Sequence, residues 1–281
     1  MKDILLSELG GIYGRMPDPP EHLDVRTNWS DCSFAGGRAT LTSYTLLCQE
    51  GAGVYSFPAL GAFLSSKGTH PVIIHLDYEL GLPSRYTPCE EILDLGYSVL
   101  QLSKDGLLPE GRRDRSGIGR IKQARGAMRP GKLALYAYGI MRAVDMLYKT
   151  EYVDRDRIYV IGQGELGEAA LLAAAVDTRI RGVTVSGLSG ISSSESGLWC
   201  RGYLGNEDEC ERIARLSKFI APRRALVCLS EGDVPLGEVG ALADIEGLTV
   251  YHRKGGSYLS RYEWQLTCRE MAKSSKTAVP C

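Results

Sequence analysis

Near the middle of this 281-residue chain an apolar strand, RIYVIG (157–162), runs through Gly162-Gln163-Gly164-Glu165-Leu166-Gly167 straight into an Ala/Leu-rich helix, ELGEAALLAAAV (165–176). A strand that is apolar along its length, and not only at alternate positions, is one covered on both faces. A helix that follows so closely must fold back over its own strand. The pattern recurs on either side: PVIIHL (71–76), a helix around 88–96, YSVLQLS (97–103), a long helix over 132–150, RGVTVSG (181–187), RALVCLS (224–230), GLTVY (247–251) and a terminal helix over 260–273. The expected fold class is α/β, a mostly parallel twisted sheet with helices on both faces. Alternating patterns in 39–47 and 54–66, joined by Glu50-Gly51-Ala52-Gly53, predict an antiparallel N-terminal lead-in, and the Pro/Asp-rich residues 1–35 read as irregular.

No Pro-rich, Ser-rich or low-complexity linker divides the chain, so residues 1–281 read as a single domain. No stretch approaches the roughly 18 apolar residues of a membrane span. The start, MKDILLSELGG, is too short and acidic for a secretory signal. Eight cysteines are scattered singly without a C-x-x-C pair, which fits free thiols in a reducing compartment, and a cytoplasmic location is expected. With a net charge of −1 the chain has no overall field to gather nucleic acid, and neither a polynucleotide nor a membrane is expected as partner. Four histidines without H-x-H or H-x-x-x-H spacing give no metal site, and no cofactor is expected.

In open parallel sheets ligands bind beyond the carboxyl ends of the strands, which directs attention to the residues after Leu76, Ser103, Gly162, Gly187, Ser230 and Tyr251. The turn at 162–167 admits two readings. Taken literally it is G-x-G-x-x-G, the pyrophosphate-binding turn of an NAD(P)-dependent oxidoreductase. That reading calls for Asp or Glu about 20 residues on, at the end of the next strand. Ser186-Gly187-Leu188 stand there instead, and Asp177 precedes the strand. The second reading is a nucleophile elbow, G-x-S-x-G, with Gly164 where the serine belongs.

The second reading is supported by a resemblance. RIYVIGQGELGEAALLAAAVD is similar to the elbow of the α/β-hydrolase superfamily, in particular to carbohydrate esterases of the acetyl xylan and glucuronoyl esterase type, whose elbow looks like GHSRLGKTALLAGALD. On that pattern Gln163 replaces His, Gly164 the nucleophilic Ser, Glu165 an Arg and Glu168 a Lys. HPVIIHLDYELGLPSRYTPCEEILDLGYSVLQLS resembles the third strand, following loop, helix and fourth strand of this group, and IAPRRALVCLSEGD the strand leading to the catalytic acid. TVYHRKGGSYLSRYEW resembles the group's YHxRxGGHxLxxxDW, with Ser257 where the catalytic His belongs. The resemblance spans about residues 35–275. It implies an α/β-hydrolase fold, an ancestry in carboxylic-ester hydrolysis, and the absence of two triad members.

Acyl transfer at a serine needs a base to take the hydroxyl proton and return it to the leaving group. Glycine at 164 cannot attack, and a serine at 257 has too high a pKa to act as a base. The implied outcome is an inactive pseudo-hydrolase that acts by binding. Glu231 and Asp233 stand at the expected acid position, as vestigial triad members or as solvated loop acids. A rearranged, active site is the competing reading, with Ser189 or Ser257 as nucleophile and His252 or His75 as base. His75 lies near the end of the strand whose following loop normally supplies an oxyanion-hole amide. Tyr78, Tyr86, Trp199 and Tyr203 are candidate rims of a sugar-sized pocket, with His75, Gln163 and Glu165 as further ligand-binding candidates. Over 104–131 a basic excursion, which includes Arg112, Arg113, Arg115, Arg120, Lys122, Arg125 and Arg129, leaves the carboxyl end of a strand. It reads either as an anion-binding lid over the pocket or as a solvated charged loop. The expected partner is an anionic or carbohydrate-like small molecule, or a protein.

Overall fold

The computed structural model describes residues 9–50, 53–109, 130–188, 190–191, 199–200, 209–233, 239–240, 242 and 244–274. The strands are β1 His22–Asp31, β2 Ala39–Glu50, β3 Gly53–Leu64, β4 His70–Asp77, β5 Ser98–Ser103, β6 Val153–Gln163, β7 Gly182–Ser186, β8 Arg224–Ser230 and β9 Leu248–Arg253. The helices are α1 Cys89–Asp94, α2 Lys104–Leu107, α3 Lys132–Tyr148, α4 Glu165–Val176, α5 Glu209–Ile220 and α6 Arg261–Ser274. Among the described residues the strands form one nine-stranded sheet in the order β1-β2-β3-β5-β4-β6-β7-β8-β9. β1, β2, β3 and β5 pair antiparallel in succession, and β4 to β9 run parallel.

Apolar runs in the central strands feed two cores. Val72, Ile74, Leu102, Val160, Val183 and Val227 face α3, α4 and α5, whereas Ile73, Val99, Tyr159 and Ile161 face α1 and α6. Successive side chains point to opposite faces, so one unbroken apolar run serves both layers. Among the described residues no helix is long and apolar enough to cross a membrane.

Two departures from the sequence reading concern elements with weak patterning. Residues 1–35 are not irregular throughout: 9–13 form a helical turn and 22–31 form β1. β1 is paired on one side only and is exposed at every position but Leu23, so burial imposes no alternation on HLDVRTNWSD. Helix α5, for which no element is predicted, buries Cys210, Ile213, Ala214, Leu216 and Ile220 behind a face rich in Glu, Arg and Lys.

The chain winds from β4 to β5 on one side and then crosses back over β4 to place β6 on the other. Adjacent strands whose connections leave in opposite directions open a crevice between their carboxyl ends, and here that crevice lies between Asp77-Tyr78 and Gly164.

Candidate active site

Gly164, between β6 and α4, has φ +57° and ψ −129°, a conformation strained for any residue with a Cβ. Its N–H donates to Ser186 O (2.9 Å), and its carbonyl accepts from the N–H groups of Gly167 (2.9 Å) and Glu168 (3.1 Å), which starts the helix. A Cβ at 164 would lie 3.4 Å from Tyr78 Oη and 3.5 Å from Leu188 O, in ordinary contact. The flanking glycines have another task. A Cβ on Gly162 would be 2.5 Å from Leu166 O, and one on Gly167 2.9 Å from Gly162 O. Strand and helix therefore cross at backbone contact, which accounts for G-x-G-x-x-G without a phosphate. Asp177, at the amino end of β7, is committed to a two-pronged pair with Arg179 (2.9 and 2.7 Å). The oxidoreductase alternative has no support in this arrangement.

Past the end of β7 the second half of the site comes together. Asp233 Oδ2 accepts from Ser230 N (2.8 Å) and Ser230 Oγ (2.7 Å), and Oδ1 accepts from Leu188 N (3.4 Å). A Cβ on Gly187 would meet Ser257 Oγ at 2.0 Å and Asp233 Oδ1 at 3.4 Å. Ser257 and Asp233 thus share one small space against Gly187, while Gly164 bonds to the preceding residue, Ser186. Glu231, the other acid candidate, is exposed.

Across the elbow, Tyr78 Oη donates to Glu165 Oε2 (3.1 Å), and Lys104 Nζ stands 3.7 Å from Glu165 Oε1. Burial, with Glu165 next, raises the Tyr78 phenol above its ordinary pKa. The ammonium groups of Lys104 and Lys132 lie 5.6 and 4.9 Å from the centre of the Trp199 ring, within cation–π range. Gly131 closes this corner: its N–H donates to Tyr13 O (2.8 Å), and a Cβ on it would strike Trp199 O at 2.2 Å. Gln163 points elsewhere, accepting from Leu259 N (3.4 Å) to hold the segment that follows Ser257.

His75 is buried in a polar network beneath the loop after β4. Its Nδ1 is 2.8 Å from Thr87 Oγ1 and 3.7 Å from Asp77 Oδ2, and its ring meets Trp264 edge-on. Gln101 donates to Asp77 (2.9 Å) and accepts from Gly81 N (2.7 Å), and Trp264 Nε1 donates to Tyr86 O (2.7 Å), so this network pins residues 78–88 from below. Desolvation lowers the His75 pKa to about 4. His252 sits in β9 between Tyr251, whose ring meets Tyr262 of α6, and Arg253, which pairs with Glu263 of α6 (3.1 Å). Strand alternation turns His252 to the opposite face. Ser189, Tyr203 and the excursion's Arg112, Arg113, Arg115, Arg120, Lys122, Arg125 and Arg129 lie outside the described residues. Two groups the sequence reading did not single out matter here. Lys104 directly follows Ser103, a strand end already flagged. The buried Glu263 accepts from Ser186 Oγ (3.1 Å), Ser260 N (2.8 Å) and Arg253, and its position before Trp264 was the available signal.

The sequence matches no family model and no curated protein. Solved structures do match in fold. A glucuronoyl esterase from Solibacter usitatus superposes with a TM-score of 0.80 at 18% identity, over 97% of this chain and 91% of that one. A glucuronoyl esterase from Teredinibacter turnerae gives 0.80 at 17% identity over 98% and 84%. Acetyl xylan esterase 1 from a Thermoanaerobacterium species gives 0.57 at 17% identity over 96% and 98%. These superpositions show that this chain has the α/β-hydrolase fold, as carbohydrate esterases of known structure do.

Proposed function

We propose that this protein is a pseudo-hydrolase: it descends from carboxylic-ester hydrolases, has lost serine–histidine chemistry, and acts by binding a carbohydrate-like or anionic small molecule in the crevice over Gly164. The observation that carries the reading is the pairing of an elbow held in its strained conformation by a residue with no nucleophile (φ +57°) with Ser257, and no imidazole, beside Asp233. Attack, proton abstraction and proton return have no group to perform them at these positions. The crevice keeps what binding requires: the Trp199 face, the Tyr78 hydroxyl, the Glu165 carboxylate and two ammonium groups. The described cysteines are free thiols, which supports a reducing, cytoplasmic setting.

The test is hydrolysis of p-nitrophenyl acetate by the unmodified protein beside the Gly164→Ser, Ser257→His double variant. The expected result is no sustained turnover in the first and measurable turnover in the second. Sustained turnover in purified unmodified protein overturns the reading.

A further inference from the structure

A hydroxyl already stands beside the place an attacking group at this elbow would take. Tyr78 Oη stands 3.4 Å from where a Cβ of residue 164 would lie. Its backbone is fixed at the end of β4, where Tyr78 N donates to Asp77 Oδ1 (2.7 Å). Its single proton is directed at Glu165 Oε2 (3.1 Å), which leaves the oxygen lone pairs for the crevice. Glu165 is the first residue of α4, where the helix dipole favours a carboxylate, and Lys104 faces its other oxygen at 3.7 Å. Hydroxyl, base and cation thus converge on the elbow from three different strand ends.

We propose that Tyr78 is an acyl-acceptor site, at which Glu165 takes the phenol proton while the oxygen attacks the carbonyl carbon of a small activated carboxylic ester. The bond that forms is Tyr78 Oη to the acyl carbon, and the bond that breaks is that carbon to the ester oxygen. With an aryl ester, the leaving group departs as the phenolate and needs no acid. The proton remains on Glu165 until it exchanges with water. Because the free phenol holds its proton more tightly than an exposed tyrosine, attack depends on that carboxylate. With no imidazole beside it to activate water, hydrolysis of the acyl-tyrosine is slow against its formation, and the first equivalent appears as a burst. The inference rests on the loss of serine–histidine hydrolysis proposed above and adds a modification site to it.

The experiment treats the whole protein with p-nitrophenyl acetate, follows release of p-nitrophenolate, and maps the acetyl group by peptide mass spectrometry. The expected result is a burst of one equivalent per chain with the acetyl on Tyr78. Tyr78→Phe removes the burst, and Glu165→Gln slows it about 100-fold. Both variants must melt as the unmodified protein does, and Tyr78→Phe, which keeps the ring, guards against a Glu165 variant that folds poorly. The exposed Tyr258 and Tyr262 serve as internal controls. Acetyl groups on those tyrosines or on lysines with Tyr78 unmodified overturn the proposal, as does an unchanged burst in Tyr78→Phe. Sustained turnover in both proteins overturns the pseudo-hydrolase reading instead, and the peptide map keeps the two results apart.

Discussion

Arg212 of α5 grips the buried carboxylate of Glu168 on both oxygens, at 3.0 and 3.3 Å, and Tyr13 Oη donates to the same group at 2.9 Å. One carboxylate on the elbow helix therefore ties that helix to α5 and to the N-terminal turn. Removing one member of a buried ion pair strands the other charge, at about 3–5 kcal/mol. Arg212→Met should lower stability in urea titrations by about that amount. Arg212→Met with Glu168→Leu should recover much of the loss, since it strands no charge. Equal loss in single and double variants would show that the pair contributes through shape alone.

His75 gives stability a defined pH dependence. Its folded pKa, about 4, lies below the ordinary 6.5 because burial penalises the charged ring. Between those values the unfolded chain binds the proton and the folded chain does not. This contribution is therefore complete above pH 6.5 and is lost as pH falls toward 4, up to about 3 kcal/mol over the window. His75→Gln should flatten the stability curve between pH 6.5 and 4, as measured by chemical denaturation at several pH values. An unchanged slope in that variant would assign the dependence to other groups.

Two of the elbow glycines should respond differently to alanine. Gly164→Ala meets strain in φ but finds room, so it should cost about 1–3 kcal/mol. Gly162→Ala would press a methyl to 2.5 Å from the Leu166 carbonyl, which must move with its helix. It should be the more damaging change although its backbone is ordinary, and melting temperatures of the two variants test the order.

Trp264→Phe keeps most of the ring packing against His75 but deletes the 2.7 Å bond to Tyr86 O. The stranded carbonyl should cost about 1–3 kcal/mol. Hydrogen exchange should quicken over 78–88 and not at the elbow.

The parallel sheet was legible because strands covered on both faces cannot hide: PVIIHL and RIYVIG are apolar whatever surrounds them. β1 was not, since a strand exposed on both faces leaves no periodic mark. α5 carries its apolar residues at helical spacing, but its many charges masked them. At the site, Gly164 and Ser257 stood out against a known pattern, and Asp233 was one of two acids at the right strand end. Which of the two turns inward depends on Ser230 and Leu188, neighbours set by the folded loop. The Tyr78–Glu165–Lys104 cluster joins three strand ends, and no spacing along a chain encodes such a meeting.

Lys104 opens the basic segment and Lys132 directly follows it, and both lie within 6 Å of the centre of one indole, Trp199. A stretch of chain that departs from and returns to one anchor can be rewritten, lengthened or trimmed between its ends at little entropic cost. Substitutions and changes of length between the two lysines fall outside sheet, turn and acid, which belong to other parts of the chain. Change in that part of the sequence is thereby kept apart from the residues that build the elbow.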